Sequence, residues 1–452
     1  MDDTSFNNSL SLSSPKQITN LPPKTWTVVT LLSIAGQIAW AVENSWFNVF
    51  VFDEITTSPT PIAWMVAVSA VVATLTTIIF GAVSDRSKSK MGRRKPFILF
   101  GYIIWGIITA LFPTVELIQN VGVAVVMVVI MDGIMTFFGS MANDAAFNAW
   151  TTDITDTTNR GRLQGVLQMS TLIANLIAIG ASGFVIETWG YFVFFYVLGG
   201  FVTVIGLIAG IMIQDPPIIA NNSSENNPKF FEDLIHTFKP STVKQNPVLY
   251  ILLVHLGLVG IAAQISSPYT FVYLENFLDF DKGQVSIIGG AVILVAAIVS
   301  IIYGFNSHRL PRKPVLMLTI VLNAIFGIIF YFVTSFISVI FVYAVILSLS
   351  MVNSIVLFSW IQDLYPVEDR GKFQGIRMVF FVAIPMVFGP IIGSNVIKFY
   401  GEPIMDGTTI SGYVPSPEIF LYSGIISLLA LIPLFFISKF SKKITDEEEF
   451  VH

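Results

Sequence analysis

The chain has 452 residues, 54% of them hydrophobic and only 12% charged, with a formal net charge of −5 and a mean hydropathy of +0.76. Soluble domains carry about 25% charged residues, so an ordinary water-soluble protein is excluded, and the small, dispersed negative charge leaves no footprint for a nucleic-acid partner. Cysteine is absent and the four histidines (His236, His255, His308, His452) are scattered, which excludes disulfides, thiolate chemistry and a metal-ligand spacing; no metal and no cofactor is expected.

The start, Met1-Asp2-Asp3-Thr4-Ser5, is polar and acidic and lacks the basic start and short apolar run of a signal peptide. The first apolar span is therefore expected to stay in the mature chain. Apolar runs long enough to cross a hydrocarbon core of about 30 Å as helices follow in order. Their approximate bounds are 26–52, 61–83, 97–115, 119–150, 164–186 and 191–213, then 247–274, 284–306, 315–333, 336–361, 373–399 and 417–438. This predicts an all-α membrane protein of twelve transmembrane helices in two six-helix bundles. The division is a tail over 1–25, a bundle over 26–213, a linker over 214–246, a second bundle over 247–438 and a tail over 439–452. A short surface helix is expected near Phe230–Phe238, and Asn221-Asn222-Ser223-Ser224 matches a glycosylation pattern.

Twelve spans put both ends on one side. Of the 24 lysines and arginines, all but Lys282 and Lys398 fall on that side. By the positive-inside rule it is the cytoplasmic side, and the expected location is the cell membrane. The match to a glycosylation site would then be idle.

The chain repeats itself. Trp150-x-x-Asp153 followed by Arg160-Gly161-Arg162-Leu163-Gln164-Gly165 recurs 210 positions later as Trp360-x-x-Asp363 and Arg370-Gly371-Lys372-Phe373-Gln374-Gly375. Gly81-x-x-Ser84-Asp85-Arg86 recurs as Gly304-x-x-Ser307-His308-Arg309, and Lys95-Pro96 as Lys313-Pro314. Halves of the same orientation form a parallel repeat about an axis normal to the membrane, with a site expected near the midplane between them.

The loop from Gly81 to Pro96 carries a dense set of charges. Gly81 is expected to let helices approach closely. Asp85 sits at a helix C-terminus, where a carboxylate opposes the macrodipole, so it needs a cation or another helix's N-terminus as partner. A partner that moves would make Gly81, Asp85, Arg86, Gly92, Arg93 and Arg94 a conformational switch; the plainer reading is a topology anchor.

This loop resembles the two-to-three loop of the major facilitator superfamily. Gly92-Arg93-Arg94-Lys95-Pro96-Phe97-Ile98-Leu99 is most similar to a stretch of the glycoside–pentoside–hexuronide cation symporters, and also resembles the sucrose/proton carriers, as does Trp40-Ala41-Val42-Glu43. The resemblance implies a secondary carrier that imports a glycoside or small oligosaccharide, sucrose- or maltose-like, with protons by alternating access. It is expected to be a monomer and not an enzyme. The alternatives are a facilitator or exporter of another solute such as a lipid or drug, or a membrane sensor.

Three acids lie within spans: Glu43, Asp132 and Asp144. No lysine or arginine lies deep enough to neutralise them, and ionisable groups in a bilayer are functional suspects. An unpaired carboxylate there must be protonated, hydrated or hydrogen-bonded, which makes all three candidates for proton coupling. Each can also be read as an interhelical hydrogen-bonding group. Asp144 matches the acid that glycoside symporters place on helix four. The sodium-using members place two acids on helix two where this chain has Ala73 and Thr77, so sodium is less expected than a proton. On span one, Gln37, Trp40, Asn44 and Asn48 offer amides and an aromatic face suited to a sugar. Asn148, one turn beyond Asp144, and Gln264, which corresponds to Glu43 in the second half, complete the expected substrate contacts. His255 is open between a relay and a packing residue. Trp150 and Trp360 read as interfacial aromatics.

Overall fold

The computed structural model describes residues 21–155, 159–215, 239–365 and 375–437. The expected surface helix at 230–238, Asn221, His236, His452, most of the linker, much of both tails and the second copy of the Arg-Gly repeat up to 374 lie outside them.

Among the described residues, helices long and apolar enough to cross a membrane are α1 (Pro23–Ile55), α2 (Pro59–Asp85), α3 (Lys95–Leu117) and α4 (Val121–Asp153), then Arg160–Met212. That segment has 53 residues, about 80 Å at 1.5 Å per residue, enough to cross twice. It breaks at Gly190, whose φ of 79° is open to glycine but costly for a side chain. It therefore supplies α5 (160–189) and α6 (191–212). The second half has α7 (Pro247–Asn276), α8 (Lys282–Asn306), α9 (Arg312–Phe330), α10 (Phe336–Asp363), α11 (Gly375–Tyr400) and α12 (Glu418–Ile437). Each lies within a few residues of its expected span.

Local chemistry sets the starts. Proline occupies the first turn of α1, α2 and α7, where its missing N–H is no loss. Asp281 caps α8, accepting from the Gln284 N–H at 2.6 Å while Gln284 Oε1 accepts from the Asp281 N–H. Aromatic clusters tie each half together away from the basic loops. Phe47 and Phe112 have ring centres 4.4 Å apart, and Phe330 and Phe420 have theirs 4.3 Å apart.

One element was not expected. Between α11 and α12 the chain forms an antiparallel hairpin, β1 (Glu402–Asp406) and β2 (Thr409–Val414), turning at Gly407 with φ 61°. Asp406-Gly407 is a recognised hairpin signal.

The halves meet at the end away from the basic loops. Lys282 of α8 bonds Asp53 of α1 at 2.7 Å, the Gly283 N–H donates to Glu187 of α5 at 2.9 Å, and the Tyr413 N–H of β2 donates to the Thr57 carbonyl at 3.1 Å. Tyr269 of α7 donates to the carbonyl of Pro390 at 2.9 Å, with the Pro59 carbonyl of α2 at 3.2 Å. The space between the halves therefore closes at that end.

Candidate functional site

The regular part of α1 ends at Glu43, and the chain bends at Ser45 (φ −130°, ψ −78°). The bend is held locally: Asn44 donates to the Trp40 carbonyl at 2.8 Å and Ser45 to the Ala41 carbonyl at 2.6 Å. Residues of this stretch have different destinations. Gln37, Trp40, Asn44 and Ser45 face a cavity of about 330 Å³ between the halves, opposite Asn175 of α5, Ser267 and Thr270 of α7 and Tyr343 of α10. Among the described residues no charged side chain lines it. The Trp40 ring leans on Trp105, centres 4.9 Å apart, which fixes an aromatic wall beside the amides.

Asn44, Gln264, Ser267 and Tyr343 also line a second cavity of about 460 Å³ within the second half, which Asn323 and Asn353 help to furnish. Asn323 donates to Ser350 at 2.8 Å and Asn353 to Thr319 at 2.9 Å, while Asn353 Oδ1 has no partner. Asn48 and Asn148 line neither space. Asn48 is buried and donates to the Asn44 carbonyl at 3.3 Å. Asn148 is exposed and turns back to the Asp144 carbonyl at 3.1 Å.

Glu43 turns inward instead. Thr136 Oγ1 of α4 lies 3.0 Å from Glu43 Oε1 and 3.2 Å from Ser69 Oγ of α2. Ser69 in turn donates to Asp132 Oδ2 of α4. Two carboxyls and two hydroxyls thus form one chain, with all four residues buried; the outer oxygens Glu43 Oε2 and Asp132 Oδ1 are buried without a partner. Three links join the four groups, and the two hydroxyls supply two protons. The third proton belongs on a carboxyl, so the chain is complete when one acid is protonated and the other ionised.

Asp144 stands apart from this chain. It lies on a π-helical stretch of α4, Ser140–Phe147, a type of irregularity frequent at functional sites. It is partly exposed and accepts from Asn143 at 3.2 Å. Asn143 also bonds Tyr102 at 2.9 Å, and Tyr102 lies 3.0 Å from the Leu32 carbonyl. Gly36 makes room for this group: a Cβ there would sit 2.8 Å from Asn143 Oδ1. His255 is fully buried, its Nδ1 donating to the Ala430 carbonyl at 2.8 Å, which suits packing between α7 and α12.

At the basic end, Arg94 is the centre. Its guanidinium bonds Asp85, Ser84 and, at 3.1 Å, Asp153, and Arg93 bonds Asp153 at 2.6 Å. Asp215, just after α6, accepts from the backbone N–H of Arg94 at 2.9 Å, an anion at the start of α3 where the macrodipole favours it. Gly92 has φ 115°, and a Cβ on it would strike the Asp215 carboxylate. Arg86 caps the end of α2, its N–H on the Val83 carbonyl at 3.2 Å. The second half repeats the pairing: Arg312 bonds Asp363 at 2.6 Å. Gly81 departs from expectation, because a Cβ there would meet nothing within 4 Å, so it does not mediate a close helix contact. Trp150 departs too. It is buried rather than interfacial, stacked on Phe147, because α6 and the following segment cover it at Gln214.

The sequence reading missed Ser69, Thr136, Asn175 and Tyr343. Hydroxyls are common in apolar helices and carry no periodic signal. Asn175, an amide in the middle of an apolar span, was the one available cue.

Residues 29–281 and 271–450 match the family model of the Major Facilitator Superfamily. The chain belongs to that superfamily. Its fold is similar to the crystal structure of a variant of the nucleoside transporter NupG, with a TM-score of 0.71 and 15% identity over 91% of this chain and 98% of that one. It is also similar to a bacterial homologue of the human lysosomal transporter Spinster in an inward-facing and occupied conformation, with a TM-score of 0.69 and 13% identity over 93% and 98% of the chains. No curated protein matches the sequence. At such identities the likeness is one of fold, and superfamily membership makes the chain a membrane transport protein.

Proposed function

We propose that this chain is a proton-coupled symporter of the cell membrane that imports a neutral glycoside or small oligosaccharide by alternating access. The observation that carries the reading is the uncharged wall of amides, hydroxyls and Trp40 one residue along the chain from Glu43. Amide groups and an aromatic face suit sugar hydroxyls and C–H faces, whereas a charged solute would call for a countercharge. The resemblance of the Gly92–Leu99 loop to the glycoside–pentoside–hexuronide symporters agrees with it.

In this reading the basic end lies in the cytoplasm with both termini, and the closed mouth faces outside. Glu43 and Asp132 hold one proton between them through Thr136 and Ser69, and the partly exposed Asp144 passes it to the inside. The Arg93, Arg94, Asp85, Asp153 cluster and its counterpart at Arg312 and Asp363 brace the helix ends that shift as the halves rock. Reconstituted protein should accumulate a labelled glycoside against its gradient when a proton gradient is imposed. Accumulation that follows only a sodium gradient would remove the proton from this account, and transport of a lipid or drug with no glycoside uptake would remove the sugar.

A further inference from the structure

The cavity at the junction of the halves continues sideways into a space of different chemistry. Helices α5 and α8 are pressed together near the closed mouth. A Cβ on Gly183 would fall 2.0 Å from the Lys282 carbonyl oxygen, one on Gly289 2.3 Å from Ile179, and one on Gly290 3.4 Å from the Gly180 Cα. Toward the basic end glycine gives way to Leu172 and Met169 on α5 and to Val292, Ile293 and Ile301 on α8, and the helices part. The wedge between them, backed by Met351 of α10, has a volume of about 440 Å³. It shares Asn175, Ile179, Phe271 and Tyr343 with the polar cavity, so one ligand can reach both.

Two polar groups on its α5 wall bond their own helix, while Gln168 of α5 and Ser300 of α8, whose Oγ is buried without a partner, add little polar area to the aliphatic lining. Thr171 donates to the Leu167 carbonyl at 2.9 Å and Asn175 to the Thr171 carbonyl at 2.8 Å. A mostly aliphatic wall gains free energy when apolar area replaces water against it, while a bare sugar offers it little. We propose that this wedge binds an apolar aglycone, so that the preferred substrates are aryl or alkyl glycosides: the sugar lies at Trp40 and Asn44, and the hydrophobic group lies between α5 and α8. The proposal rests on the glycoside reading above.

The test is equilibrium binding to the purified full chain, in detergent and in lipid nanodiscs, of paired methyl and 4-nitrophenyl glycosides of glucose, galactose and xylose. For at least one sugar the nitrophenyl member should bind about tenfold more tightly than its methyl partner, the scale that burial of a ring supports. Leu172→Gln and Met351→Gln should erase that difference, and Met351→Leu should keep it. Equal affinities within every pair overturn the apolar subsite while leaving the glycoside reading intact. Binding of no pair overturns both. A nitrophenyl advantage that survives both glutamine variants puts the subsite elsewhere, and one seen in detergent but lost in nanodiscs gives the wedge to a lipid acyl chain.

Discussion

Glu43 of α1 and Asp132 of α4 are joined by two hydroxyls, Thr136 at 3.0 Å from Glu43 and Ser69 at 3.2 Å from Thr136. Reversing the direction of every donor in such a chain carries a proton from one acid to the other without moving a heavy atom. The two acids should therefore behave as one site. Glu43→Gln and Asp132→Asn are each expected to abolish proton-driven accumulation while sparing glycoside exchange at equal proton concentration. The double variant should be no worse than either single one, since a shared proton is lost only once. Additive losses in exchange rate would separate the two acids.

Asp144 is the one of the three span acids that is not fully buried, and its neighbour Asn148 is exposed. Asp144→Asn keeps the shape and the Asn143 contact but cannot carry a proton. Net uptake in proteoliposomes should fall at least tenfold, because the empty carrier must lose its proton before it returns, whereas exchange needs no such step. An Asn variant that still concentrates the glycoside would take Asp144 out of the path.

The spans were legible because runs of apolar residues separated by prolines, glycines and charges admit few other folds. Of the ion bridges at the helix ends only the places were legible through the repeat: Asp153 and Asp363 match, and Arg94 and Arg312 each precede Lys-Pro, but their pairing came from the structure. The hydroxyl chain was not legible. Its four members come from three helices, and a serine or threonine in an apolar helix usually bonds its own backbone, as Thr74 does with the Ala70 carbonyl at 2.8 Å. Nor was the bend at Asn44–Ser45, which breaks the regular helix between Asn44, on the cavity, and Asn48. A stripe drawn at ideal helical spacing therefore wrongly kept Asn48 with Asn44.

Trp40 and Asn44 should matter to binding more than to folding. Trp40→Ala removes the aromatic wall and Asn44→Ala an amide shared by both cavities. Each is expected to weaken glycoside affinity by about 1–3 kcal/mol, roughly 5- to 150-fold, measured by titration on the purified protein. Unchanged affinity in both would shift the site toward Gln264 and Asn353.

Arg94 is nearly inaccessible, its side chain 4% exposed, while Asp85 is 58% exposed. The two ends of this bridge should then fail differently. Asp85→Asn removes an outer, solvent-screened charge and is expected to slow transport while leaving affinity within about threefold. Arg94→Ala removes the buried hub that joins Ser84, Asp85 and Asp153, leaves Asp153 with Arg93 alone, and should cost on the order of 1–3 kcal/mol in stability, seen as a lower Tm. Loss of binding in a folded Asp85→Asn protein would mean that this loop touches the substrate site.

At the other end, Lys282 reaches Asp53 of the first half at 2.7 Å and also bonds Glu275, while Tyr191 donates to Asp53 at 2.6 Å. One cation therefore holds two carboxylates together across the closed mouth. Its side chain is 17% exposed and those of its partners 18% and 19%, so the attraction is only partly screened. Without the ammonium the carboxylates repel, and the closed mouth loses on the order of 1–2 kcal/mol relative to the open one. Because the chain contains no cysteine, Ser267→Cys provides a single reporter inside the cavity. In whole cells an impermeant maleimide should label it slowly from outside, and Lys282→Ala should raise that rate about tenfold. Lys398→Ala, which removes the exposed cation at the end of α11, should leave it unchanged. Equal labelling with and without Lys282 would show that glycine packing between α5 and α8 closes the mouth without the clamp.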